Sequence, residues 1–148
     1  MQMLRPLTAA LLSCLTMACT SNAQETPPIT SVLSARLLGT SEEPPVTSTG
    51  SGMLEATVNR QTMVISYTVT YAGLGGAATA GHFHGPAAVG ANAGVALPLA
   101  GSLASPIKGE ASLTAAQLAQ LMAGLWYVNL HTAANPSGEI RGQVTVTP

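Results

Sequence analysis

The stretch Leu54-Glu55-Ala56-Thr57-Val58-Asn59-Arg60-Gln61-Thr62-Met63-Val64-Ile65-Ser66-Tyr67-Thr68-Val69-Thr70-Tyr71 decides the fold class. Leu54, Ala56 and Val58 alternate with Glu55, Thr57 and Asn59, the period-2 pattern of a strand with one wet face. Asn59 to Thr62 supplies reversal chemistry, and Met63, Ile65, Tyr67, Val69 and Tyr71 then line one face of the returning strand. Working outward, Leu33, Ala35 and Leu37 form an earlier strand face. Later runs at Gly81 to His84, Val95 to Leu99, Ile107 to Leu113 and Trp126 to His131 follow Gly, Pro and Ser clusters. A final run places Ile140, Val144 and Val146 on one face, and with Trp126 to His131 it reads as a C-terminal hairpin through Ala134 to Gly138. Eight strands of this kind predict an all-β fold, an antiparallel β-sandwich that is immunoglobulin-like or superoxide-dismutase-like in outline.

One segment breaks the period. Thr114-Ala115-Ala116-Gln117 has capping-box spacing, Leu118, Leu121, Met122 and Leu125 follow at helical intervals, and Gly124 stands ready to stop the turn. A single short helix near 115–123 is expected, packed by its apolar stripe because about ten residues are marginal as a helix in water.

The 148 residues suffice for one domain and an export segment. Arg5, then an apolar run through Leu11 and Leu12, then Ser21-Asn22-Ala23 read as a signal peptide over 1–23, too short to span a bilayer. The rival processing is lipidation at Cys19, which would anchor the chain to the envelope. Either route gives an exported protein, periplasmic, secreted or lipid-anchored, with a proline-bearing linker at 24–30 and a domain over 31–148. Both cysteines, Cys14 and Cys19, fall in the export segment, so the domain is expected to stand without a disulfide.

Charged residues are 7% of the chain, against about 25% in ordinary proteins, and the formal net charge is -1. Four Arg and one Lys, scattered singly, make no track for nucleic acid. The chain contains no Asp, which removes the Ser-His-Asp triad, the aspartic dyad and the Asp-rich calcium loop. A Gly-x-Ser-x-Gly elbow and a His-Glu-x-x-His helix are absent too.

Several motifs, in order, resemble one family. They are Glu42-Glu43-Pro44-Pro45-Val46, Gly81-His82-Phe83-His84-Gly85-Pro86, Leu113-Thr114 with Gln117 and Leu121, Tyr127-Val128-Asn129-Leu130-His131-Thr132, and Asn135 to Gln143. This order is similar to that of CHRD domains, across about Ser31 to Val146. The family takes its name from chordin, an extracellular antagonist of growth factors, and includes small exported bacterial proteins. The resemblance implies no catalytic role. It does not imply growth-factor binding either, because that property belongs largely to cysteine-rich modules this chain lacks.

The chemistry rests on His82, His84 and His131. Residues two apart on a strand face the same side about 6.6 Å apart, so His82 and His84 can share an ion while Phe83 points the other way. With His131 nearby, three imidazoles can hold zinc at about 2.0–2.1 Å and leave a fourth position for water, Glu139 or a ligand; copper(II) binds such nitrogens more tightly still. The competing reading makes the histidines hydrogen-bonding ties, His131 to the Asn135–Gly138 turn and His82 and His84 at a strand end. His82-Phe83-His84 is also similar to the His-x-His of copper-zinc superoxide dismutase, but the missing Asp, disulfide and further histidines argue against that chemistry. Tyr127, Asn129, Glu139 and Arg141 are expected as a supporting polar cluster, with Glu139 and Arg141 paired as a local ion pair and Trp126, Val128 and Leu130 in the core. Glu42-Glu43-Pro44-Pro45 reads as a loop or edge cover. The expected role is a non-enzymatic exported module binding a metal ion, copper or zinc. The alternatives are a module that binds an envelope or extracellular partner, and a metal-dependent enzyme, which would need an open coordination site beside a pocket.

Overall fold

The Asn59 reversal forms in the computed structural model, which describes residues 29–147; the expected export segment, with Cys14 and Cys19, and most of the expected linker lie outside them. Asn59 Oδ1 accepts from the backbone N–H groups of Gln61 and Thr62, both at 2.9 Å, closing the turn between β2 (Ser51–Asn59) and β3 (Val64–Ala72). Met63 sits in that turn at φ 57° instead of opening the strand. The strand faces are those expected: Leu54, Ala56, Val58, Ile65, Tyr67 and Val69 are buried, as are Leu33, Ala35 and Leu37 on β1 (Thr30–Leu38).

After these come β4 (Ala78–His84), β5 (Val95–Pro98), β6 (Ile107–Ser112), α1 (Ala115–Met122), β7 (Tyr127–Thr132), β8 (Ile140–Gln143) and β9 (Thr145–Thr147). A 3-10 turn at Gly39–Ser41 follows β1. The final run is two strands and not one, because the chain breaks at Val144, whose N–H donates to Trp126 O at 2.8 Å. β8 continues the hairpin with β7, whereas β9 crosses to pair with Val32–Ser34 of β1. Val144 and Ile140 are buried, but Val146 is 37% exposed and leaves the core.

The expected two-sheet sandwich is corrected by the pairing. All nine strands belong to one antiparallel sheet, ordered β5-β4-β7-β8-β1-β2-β3-β6 with β9 on β1, and the sheet is curled into a half-barrel. Its two halves are joined where Leu38 pairs with Arg141. Gly142 permits this close approach, since a Cβ there would overlap Arg36 O and touch Ala35. The degree of curl follows from Tyr67 and Phe83. Five strand spacings of about 4.8 Å separate β3 from β4 in the order, about 24 Å if the sheet were flat. Their rings instead meet edge to face at 5.3 Å. Phe83, Trp126, Leu121, Val128, Leu130 and Ile140 fill the interior with no exposure. Each such side chain contributes about 1.5–3 kcal/mol of burial.

The helix lies within the bounds expected. Thr114 Oγ1 accepts from Gln117 N at 3.2 Å, and Gln117 Oε1 accepts in return from Thr114 N at 2.9 Å. Gly124, at φ 71°, ends it. Leu121 is fully buried, and Gln117 and Gln120 tie the helix to Ala96 O and to the Trp126 ring nitrogen. Among the described residues no helix is long and apolar enough to cross a membrane.

Candidate metal centre

The register of β4 on β7 sets the site. His84 pairs with Tyr127, His82 with Asn129, and Ala80 with His131, while Asn129 pairs with Arg141 on β8. Because alternate residues share a face, one outward face carries His82, His84, Tyr127, Asn129, His131 and Arg141, and the opposite face gives Phe83, Val128 and Leu130 to the core. On β7 the outward face is itself covered, every residue of that strand being buried, whereas His82 on β4 is only half-buried.

The cover is the 85–94 loop. His84 Nδ1 meets Ala93 O at 3.0 Å, Arg141 donates to Ala91 O at 2.6 Å and to Asn92 Oδ1 at 2.9 Å, and Gln143 donates to Ala87 O at 3.0 Å. A three-layer stack backs these contacts, with the Arg141 guanidinium 3.4 Å above the Tyr127 ring and Tyr127 parallel to His84 at 4.7 Å.

Within the site, one ring nitrogen from each of His82, His84 and His131 lies within 4.8 Å of the others. His82 Nδ1 is 3.1 Å from His131 Nε2, and Asn129 Oδ1 is 3.1 Å from both His84 Nε2 and His131 Nε2. The far side of His131 is held by Pro136 O, 3.0 Å from Nδ1. Proton counting shows what this means. Ala93 O and Pro136 O only accept, so His84 and His131 each spend their one ring N–H on a backbone carbonyl through Nδ1. Both Nε2 atoms then carry lone pairs toward Asn129 Oδ1, which is an acceptor as well. His82 Nδ1 is the neighbour placed to donate a proton to His131 Nε2; with the amide oxygen turned toward both rings, a cation held among these lone pairs would satisfy them together. Anchoring one ring nitrogen on a carbonyl while the other faces the ion is the outer-shell arrangement metal-binding histidines use.

The surroundings of two of the rings disfavour their charged form. Burial, then the neighbouring His131 and His84 rings, hold the His82 imidazole below its ordinary value. Burial and the His84 ring likewise lower His131, partly offset by Pro136 O. Neutral imidazole is the form that ligates.

Of the expected supporting residues, Tyr127, Asn129 and Arg141 stand around the histidines, and Glu139 does not. Glu139 is 1% exposed and accepts from Ser48 Oγ at 2.7 Å, Gly75 N at 2.8 Å and Thr132 Oγ1 at 2.6 Å. Burial pushes its carboxyl up, but these bonds and one from Asn135 together bring it below its ordinary value. The expected Glu139–Arg141 ion pair is therefore absent: Glu139 is satisfied by hydroxyls and backbone, and Arg141 by the 85–94 loop and Tyr127. Glu139 is also too fully engaged to serve as a fourth ligand.

Sequence reasoning missed Glu42. It follows the 3-10 turn, is 6% exposed, and its Oε1 has no hydrogen-bond partner. Burial raises its carboxyl to about 7, against the pull of Arg141, the Asn129 amide and the Glu43 backbone. Gly138, at φ 134°, leaves the space for it, since a Cβ there would overlap Glu42 Oε1 and come 2.9 Å from Asn129 Nδ2. The Glu42-Glu43-Pro44-Pro45 motif was the available signal, but two adjacent glutamates do not reveal which one turns inward.

A family model of the CHRD domain matches residues 33–144. The chain belongs to the CHRD family. Compared with curated proteins and with solved structures, it has no significant match. The match runs from β1 to Val144, just past β8, so the CHRD domain includes the whole histidine centre as well as Glu42 and its partner Asn129.

Proposed function

We propose that this CHRD domain is an exported, non-enzymatic module that holds one zinc or copper(II) ion on His82, His84 and His131. The observation that carries the reading is the convergence of one ring nitrogen from each of the three histidines within 4.8 Å of the others, with the Nδ1 atoms of His84 and His131 turned away onto backbone carbonyls. The donor set suits a borderline cation: imidazoles bind zinc and copper, and no thiolate is offered. Export follows from residues 1–23, with cleavage after Ala23 or lipidation at Cys19 as the two processing routes; intact mass of the mature protein separates them.

The test is elemental analysis of protein purified from its native compartment, with calorimetry of the metal-stripped form. About one equivalent of zinc or copper(II) is expected, abolished by His84→Ala. Absence of saturable heat with either metal would leave the second reading, a partner-binding module whose histidines tie loops to the sheet. The contacts of His84 with Ala93 O and of His131 with Pro136 O favour that one.

A further inference from the structure

The three histidines leave the fourth coordination position undetermined, and the surroundings decide what occupies it. Asn129 is 3% exposed and lies opposite His82 in the β4–β7 ladder, between the two Nε2 atoms. Resting on the metal reading above, we infer that Asn129 Oδ1 is the fourth protein ligand, so that the chain itself fills four coordination positions and leaves none open to an exogenous ligand.

Three observations support this. First, three of the separations fit. Four donors at about 2.0–2.1 Å from one ion lie about 3.3 Å apart at neighbouring corners of a tetrahedron and about 2.9 Å apart around a square. His84 Nε2 to Asn129 Oδ1, Asn129 Oδ1 to His131 Nε2, and His131 Nε2 to His82 Nδ1 are each 3.1 Å. Second, the amide is oriented from behind. Its Nδ2 faces the Glu42 carboxyl across Gly138, which turns the oxygen toward the rings. Third, the His84 side of the site is covered. His84 is bound to the 85–94 loop through Ala93 O, and that loop is held down by Arg141 and Tyr127. His82 on the other side is partly exposed, so it is the occupied fourth position that would keep a small anion off the ion.

The test uses cobalt(II) as a visible probe in the mature full chain, with azide as the competing ligand. Wild type should take up one cobalt(II) with the intense d–d absorption of four-coordination, and azide should leave the spectrum unchanged. Asn129→Ala should bind zinc more than about 100-fold more weakly, beyond what loss of an outer-shell partner costs, and its cobalt spectrum should shift with azide. Asn129→Asp, which restores an oxygen donor, should bind metal and ignore azide. An azide-induced shift in wild type overturns the inference, as does an Asn129→Ala protein that binds as tightly as wild type with an unaltered spectrum. Should Asn129→Ala fail to fold, wild type and Asn129→Asp still decide the matter. Failure of wild type to take up either cobalt or zinc is a different result: it removes the metal reading itself, and this inference with it.

Discussion

Replacing His84 by Ala should remove the thermal stabilisation that zinc gives this domain. A ligand that binds only the folded state stabilises it by RT ln(1 + [L]/Kd), about 2.7 kcal/mol at a hundredfold excess over Kd. The unfolded chain competes poorly, since its three histidines are no longer gathered and no other histidine exists. For the 119 residues 29–147, about 2.1 cal/mol/K of unfolding entropy per residue gives about 0.25 kcal/mol/K, so the midpoint should rise by about 11 °C. The substitution removes one of three ring donors and the contacts with Ala93 O and Asn129 Oδ1. The metal-free variant should therefore unfold a few degrees earlier than wild type, from about 1–2 kcal/mol of lost hydrogen bonding and stacking, and zinc should restore almost nothing. Differential scanning calorimetry with EDTA and with zinc reads both quantities. A wild-type midpoint that ignores zinc, or a His84→Ala protein that keeps the full shift, refutes the reasoning.

Three further outcomes follow from the same geometry. His82 and His131 have imidazoles lowered in the fold, so protons favour the unfolded chain as pH falls below about 6.5; metal-free stability should decline on that side. Zinc affinity by calorimetry should fall toward acid pH, because protons compete for the ring nitrogens, and an affinity that does not weaken there would contradict imidazole ligation. Glu139→Gln should cost about 2–3 kcal/mol at pH 7 by disrupting a buried ionic acceptor. Because the Glu139 carboxyl is lowered, its contribution is present above the ordinary carboxylate range and fades as pH falls through the folded value, so urea melts of variant and wild type should differ at neutral pH and converge at acid pH, while zinc affinity stays unchanged. Gly85→Ala places a Cβ 2.7 Å from Trp126 Nε1 and 2.9 Å from Leu125 O; overpacking of about 1–3 kcal/mol should lower the melting midpoint, and a midpoint equal to wild type would show that Trp126 is free to move.

Much of the fold was legible because its signals are local. Alternation in β1, β2 and β3 marked the buried faces, and the Thr114/Gln117 box placed the helix. What the sequence could not display is how strands meet across long separations. Leu38 finds Arg141, and Val32–Ser34 find β9, over more than a hundred residues. Nothing periodic announces these junctions, yet they decide between two sheets and one curled sheet. Val144 illustrates the same limit: its apolar side chain extends the pattern of β8, while its N–H is taken by Trp126 and the ladder changes partner. The histidines were legible as candidates because a two-residue spacing on a strand has one outcome. Their meeting with His131 depended on the β4–β7 register.

The two buried glutamates show why residue type alone misassigned the support of the site. Glu139 lies in the motif nearest His131 and has the better sequence claim, but Ser48, Gly75 and Thr132 satisfy it as an anion. Glu42 arrives from far along the chain and is short of partners. An ion held by three neutral imidazoles and a neutral amide keeps its two charges, and Arg141 already places a third positive group on the same face. Uncompensated charge in a covered site is costly. Glu42 is the carboxyl that faces the Asn129 amide and feels Arg141, so its ionised form is the counter-charge such an ion would call for. Its lack of other partners is consistent with that role, whereas a residue as fully bonded as Glu139 has nothing left to offer.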